Sequence, residues 1–274
     1  INMYTLWARE QLGIETQNYF TTLPTPDKGG FKGDNPFEWN RLHKILVNTP
    51  PEKLYELIEE YDGEDSLAVQ AYMIEKAYLP YIHNYTMPYD QYMSSVTTDQ
   101  KAMLYALMRQ ETRLIPGLIS RSFALGLMQI MPFNVDSISK IHPLKIKSYD
   151  DMFNSEYSIA YSIEHMKHIE KTLFNPVLMA YAYNGGIGFT KRLLISGDYF
   201  NPGEHEPFMS MELVGNAESR EYGKRVLANY IIYKKVLGEN VSISAIFDNL
   251  TKPTLSDYFR VSELKKLQQL SQNE

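Results

Sequence analysis

A chain of 274 residues is long enough for one large domain, or for a catalytic domain with a smaller companion. Its 44% hydrophobic and 22% charged residues are the balance of a globular protein, and a net charge of −6 argues against nucleic acid, whose phosphates need clustered Lys and Arg. The lack of cysteine excludes disulfides and thiolate metal sites, and no apolar run approaches the roughly 20 residues of a membrane span.

Strand signals are scarce, and most long segments carry apolar residues at helical spacing. Residues 1–20 read as helix. Thr21 to Asn35, rich in Pro, Gly, Lys and Asp, reads as a loop. Asn40 to Val47 and Glu52 to Tyr61 read as short helices parted by Pro50 and Pro51, and Ser66 to His83 continues with Leu67, Ala71, Ile74 and Tyr78 on one face. This first section has the look of stacked short helices at the end of an α-solenoid, without a fixed repeat.

From Thr97 the pattern changes. Thr97 and Gln100 form a capping-box signature, and the helix they open runs to about Arg113, where Pro116-Gly117 bars its continuation. Asn175-Pro176 opens another helix that ends at Gly185-Gly186. Glu218 to Leu237 is a long amphipathic helix with Tyr222, Val226, Tyr230, Tyr233 and Leu237 on one stripe, stopped by Gly238. One more surface helix is expected in the tail after Asn240. With 21 Tyr and 12 Phe the chain is rich in rings, which serve a helical core or a sugar site equally well.

One carboxylate stands out. Leu104, Leu107 and Met108 form the apolar stripe of the helix over 98–113, and the next position on that stripe is Glu111. Burying a charged glutamate is costly, and desolvation favours its protonated form, the form a general acid needs. Pairing with Arg109, Arg113 or a core Tyr is the structural alternative. Downstream, Gly126-Leu127-Met128-Gln129 sets an amide in an apolar stretch before a proline-initiated helix, and Tyr183-Asn184 sets a phenol and an amide at a helix end.

These segments give the chain a resemblance to the soluble lytic transglycosylases of bacteria, whose catalytic domain is similar to goose-type lysozyme. Arg109-Gln110-Glu111-Thr112, Gly126 to Pro132, Ala182 to Gly186, and Glu218 to Tyr222 continuing into Val226 to Tyr230 occur in the family's order and near its spacing. The resemblance implies a mainly α fold: a lysozyme-like catalytic domain over 98–240, preceded by a small helical, superhelix-like or linker-like domain over 1–97 and followed by a helical tail over 241–274. It implies Glu111 as the catalytic residue, with Ser120, Gln129, Met131, Tyr183, Asn184 and, more loosely, Glu212 on the substrate. The implied partner is the peptidoglycan glycan strand, cut between N-acetylmuramic acid and N-acetylglucosamine with closure of a 1,6-anhydro ring. No cofactor, metal or nucleic acid is implied, and the location is the periplasm or cell envelope, with the leader segment expected to be already removed. Thr112 stands for a usual Ser, Gly185 for a usual Ala, and Leu213 to Asn216 for a more apolar, Pro-containing run.

A hydrolytic muramidase on the same fold and a catalytically silent wall-binding helical protein are the alternatives. Gly185 to Gly188 with Lys191 lacks the spacing of a phosphate loop. His165 and His168, one turn apart, read as a solvated face, and Glu204-His205-Glu206 as surface.

Overall fold

Short polar residues decide where several helices begin. Asn2 accepts from the Thr5 N–H, Asn35 from those of Phe37 and Glu38, Asn175 from that of Val177, and Ser242 from that of Ala245, each satisfying donors that a helix start leaves open. Thr97 and Gln100 form the expected reciprocal box, each side chain accepting the other's backbone N–H.

The computed structural model describes residues 1–23, 31, 33–78 and 82–272, with backbone alone at 253–259 and 267. In chain order the elements begin with α1 (Met3–Gln11), β1 (Tyr19–Phe20), α2 (Pro36–Asn48), α3 (Leu54–Glu60), α4 (Leu67–Tyr78), β2 (His83–Asn84) and α5 (Thr98–Thr112). They continue with α6 (Pro132–Ile141), α7 (Ser155–Glu170), α8 (Pro176–Gly185), α9 (Ile187–Ile195) and α10 (Phe208–Leu213). The last are α11 (Ala217–Val236), α12 (Ile243–Thr251) and α13 (Pro253–Ser271). The fold is mainly α; β1 and β2 form a short parallel pair with Tyr19 opposite His83 and Phe20 opposite Asn84.

The chain divides into two compact units, and it passes between them within α7 and within α11 as well as near both ends. The first holds residues 16–167 and 232–239 together with Ile1. Its core is built on α5, in which Ala102 to Arg109 are buried without interruption. Met73, Tyr85, Met93, Leu127, Met128, Ile159 and Tyr161 are also buried in this unit. Tyr233 stacks on Tyr105 at 5.1 Å between ring centres and meets Tyr85 edge-on at 5.2 Å, so these rings serve the core.

The second unit holds residues 2–15, 168–231 and 240–274. Buried Leu178, Tyr181, Leu194, Phe200, Met211, Val226, Leu227 and Phe247 make its core. A Cβ on Gly223 would collide with the Tyr181 ring, so glycine is what lets α11 lie against α8. Glu10 on α1 caps α12: its carboxylate accepts from the Ile243 N–H at 2.8 Å, the Ser244 N–H at 3.0 Å and the Ser242 hydroxyl at 3.0 Å. Burial alone would raise the Glu10 pKa, but these bonds from Ser244, Ile243 and Ser242 outweigh it and hold the group below its ordinary 4.5. A depressed carboxyl stabilises the fold above its unfolded pKa and loses that contribution as pH falls through the folded one. The unfolding midpoint of Glu10→Gln should therefore lie below that of the parent at neutral pH, and the gap should close below about pH 4.5. A gap that persists unchanged into acid contradicts this.

Several expectations need correction. Residues 1–20 are not one helix. Gly13 adopts φ +64° and its N–H and that of Ile14 return to Glu10 and Arg9 carbonyls, closing α1 in a Schellman motif. After it the chain reaches β1. Helix α2 starts four residues earlier than its apolar pattern, because Pro36 at the first turn follows the Asn35 cap. Helix α4 ends by Tyr78, and His83 is in β2; its expected continuation through 79–81, like most of the 21–35 loop at 24–30 and 32, lies outside the described residues. The tail holds two helices, since Ser242 caps α12 and Pro253 opens α13. Helices α7, α9 and α10 carried no start signal that the sequence reading used.

Candidate functional site

The stripe that carries Glu111 ends at an abrupt exit. Arg113 and Leu114 both take left-handed backbone, φ +56° and +70°, which ends α5 within two residues of Glu111 and turns the chain away. Glu111 is half-buried and lines a cavity of about 990 Å³. Thr112 and Arg113 from the same turn line it too, with Ile115, Gly117, Leu118, Ile119, Asp150 and Asp151. The Thr112 hydroxyl donates to the Leu127 carbonyl at 2.9 Å, so the helix end is tied directly to the Gly126–Pro132 segment.

Both arginines beside Glu111 engage another acid. Glu75 on α4 is 3% exposed and accepts from the Arg109 guanidinium, from Arg113 Nη1 at 2.9 Å and from the Asn84 N–H at 2.8 Å. Arg109 also donates to the Asn84 carbonyl at 2.6 Å, and its guanidinium carbon lies 4.2 Å from the centre of the Tyr85 ring. Burial works against the charge on Arg109, but Tyr233, Tyr85 and Glu75 outweigh it and raise its pKa. Burial and the neighbouring Arg109 charge lower that of Arg113. No feature of the sequence singled out Glu75; its one signal is a carboxylate among Ala71, Met73 and other buried positions of α4.

The loop after α5 is built by its own polar groups. Ser120 Oγ accepts from the Ala124 N–H at 2.9 Å and the Ser122 N–H at 3.2 Å, folding 120–124 into a turn. Leu125 bridges to Ile119 and to Ile130. Gln129 has φ +49°, and its side-chain nitrogen donates to the Gly126 carbonyl at 2.8 Å and the Leu118 carbonyl at 3.1 Å. The Gln129 amide thus braces the loop with its NH₂ group. Gly126, at φ +70°, lies so close to the Met152 carbonyl that any Cβ would overlap it. Met131 is half-buried at the N-cap position of α6.

In the second unit, Tyr183 and Asn184 are half-buried in the last turn of α8. Asn184 Nδ2 donates to Glu218 at 3.0 Å, and the Ser219 hydroxyl donates to Asn184 Oδ1 at 2.7 Å. A Cβ on Gly185 would come within 2.9 Å of that hydroxyl and 2.7 Å of the Phe189 ring, so the glycine in place of a usual Ala gives this bond its room. Glu212 is exposed, accepts from Tyr4 and pairs with Lys224 at 2.9 Å; Lys224 also meets Glu221 at 2.7 Å. Burial opposes the charge of Lys224, and its two acidic partners outweigh that and raise its pKa. Lys191 pairs with Glu263 at 3.3 Å, and Gly186 serves as the cap between α8 and α9.

Sequence reasoning missed the upstream wall of the cavity. Asp34, Phe37, Asn40, His43 and Tyr72 line it with Glu111. The one local signal is Phe37, an aromatic residue lying off the buried stripe of Trp39, Leu42 and Leu46. Burial raises the Tyr72 phenol, and the charge of Arg113 partly offsets this.

Residues 89–198 match the family model "Transglycosylase SLT domain". The fold is similar to that of the 70 kDa soluble lytic transglycosylase Slt70 from Escherichia coli, with TM-score 0.61 and 20% identity over 93% of this chain and 43% of that one. It is also similar to an inactive mutant of lytic transglycosylase Slt from Pseudomonas aeruginosa, with TM-score 0.60 and 18% identity over 88% of this chain and 42% of that one. A complex of the 70-kDa soluble lytic transglycosylase with bulgecin A gives TM-score 0.58 and 20% identity over 89% and 43%. The chain thus spans less than half the length of these structures. No curated protein sequence matches the chain.

Proposed function

We propose that this chain, whose residues 89–198 belong to the SLT transglycosylase domain family, is a lytic transglycosylase of peptidoglycan. The reaction breaks the β-1,4 bond between N-acetylmuramic acid and N-acetylglucosamine and leaves a 1,6-anhydro end. The observation that carries this reading is Glu111, half-buried in a cavity of about 990 Å³ inside the family match, with Arg109 and Arg113 on the same turn both paired to Glu75.

In the proposed sequence Glu111 gives its proton to the glycosidic oxygen, and the bond from the muramoyl C1 to that oxygen breaks. The substrate's N-acetyl group stabilises the developing cation, with Tyr183 and Asn184 assigned to orient it. Glu111, now ionised, takes the proton of the C6 hydroxyl as that oxygen bonds to C1. The nucleophile is part of the substrate and has a proximity advantage over water, so no second carboxylate is required to activate it. Ser120, Gln129, Met131 and Glu212 keep their assignment to the substrate as proposals, as does the division at 97 and 240. Peptidoglycan as substrate puts the protein in the periplasm or envelope; among the described residues no helix is long and apolar enough to cross a membrane.

A hydrolytic reading gains some support from Asp34 and Asp150, which line the same cavity and offer a second carboxylate to activate water. Product chemistry separates the two. Purified sacculi treated with the protein should release fragments whose muramoyl ends are one water lighter than reducing ends. Fragments with reducing ends alone assign hydrolysis, and binding without release assigns the silent wall-binding alternative.

A further inference from the structure

Part of the Glu111 cavity is made by residues between Asp34 and His43 and by Tyr72, which precede the family match at 89–198. This wall is fixed to the end of the catalytic helix rather than resting loosely beside it. A Cβ on Gly117 would overlap the Gly33 carbonyl and approach Asn35 at 3.2 Å, so the backbone entering α2 abuts the loop that follows Glu111. Asn35 is engaged as the α2 cap and Trp39 is buried. Phe37, Asn40 and His43 remain, three residues apart along one flank of the helix.

Their chemistry is specific. Phe37 is 78% exposed although it lies at the cavity. A single exposed ring is common on any surface. Here it stands with an exposed amide and with an imidazole held 5.4 Å from the Trp39 ring and 6.1 Å from that of Tyr72. An aromatic face flanked by an amide and an imidazole matches a sugar ring, which offers an apolar C–H face and hydroxyl or acetamido groups at its edge.

We propose that the flank of α2 bearing Phe37, Asn40 and His43 is a saccharide subsite of the Glu111 cavity, holding a ring of the glycan strand outside the pair whose bond is cut. This rests on the transglycosylase reading for its substrate class. The test titrates Glu111→Gln protein, alone and with Phe37→Ala or Asn40→Ala added, with peptide-free glycan strands. Each added substitution should raise Kd about tenfold. In the active protein each should raise KM by a similar factor while kcat changes less than about twofold, with the unfolding midpoint unmoved because both side chains are exposed. Kd within about twofold of the parent in both variants overturns the subsite, even if cleavage is normal. If the parent cleaves nothing but binds strands, and Phe37→Ala weakens that binding, the subsite stands and the catalytic reading falls. No binding by Glu111→Gln itself overturns the subsite.

Discussion

Glu111→Gln should abolish the release of anhydro-ended fragments from purified sacculi, with kcat falling by about 10³-fold or more. The amide keeps the shape and hydrogen-bonding reach of the carboxyl group, yet it neither donates an acidic proton nor accepts the one from C6. Stability should stay within about 0.5 kcal/mol of the parent, because the substitution is isosteric and the site half-buried. Retained binding of glycan strands completes the expected result. Cleavage at the parental rate would remove Glu111 from the chemistry and leave Asp34 or Asp150 as the acids to test.

Glu75→Ala should be the most destabilising single change near the site. It removes the acceptor for Arg109, Arg113 and the Asn84 N–H at once and leaves the 5%-exposed Arg109 charge with the Asn84 carbonyl and the Tyr85 face. Breaking a buried pair from one side costs about 3–5 kcal/mol, which for a chain of this size lowers the unfolding midpoint by about 10 °C. Replacing both partners, Glu75→Leu with Arg109→Met, should recover much of the loss, since the buried Arg109 charge is then gone and only the half-buried Arg113 and the Asn84 N–H lose an acceptor. A midpoint drop of one or two degrees in the single variant would show the pair to be dispensable. These two predictions separate the roles of neighbouring acids: Glu111 is proposed to act on the substrate, and Glu75 holds the helix that presents it.

What was legible in the sequence was local. Thr97, Asn175 and the glycines at 185 and 186 mark helix ends because caps and left-handed exits use a short menu of residues, and the structure follows them. Glu111 was legible because a helical stripe fixes which side a residue faces, and because its companion segments carry a family resemblance. The partner of Arg109 was not legible: it lies 34 residues away on α4, and neither helix records the other in its own pattern. The same holds for Phe37 and His43, which reach the cavity through a close approach of Gly33 to Gly117. The Gln129 amide has a role that its residue type did not announce: its NH₂ group donates to two carbonyls of its own loop, while its assignment to the substrate stays a proposal.

The buried guanidinium of Arg109 sets a limit on how this protein can be divided or recombined. The segment 89–198 contains Glu111 and the loop behind it, but Glu75, Asn84 and Tyr85 lie upstream, and Tyr233 lies downstream. Excised at the borders of its signature, the segment would carry an orphaned cation at the centre of its principal helix. The smallest portable version of the Glu111 cavity is therefore defined by charge neutralisation rather than by sequence likeness, and it must include both flanks. A chimera that borrows only the signature inherits Glu111 without the counter-charge that lets its helix stay inside.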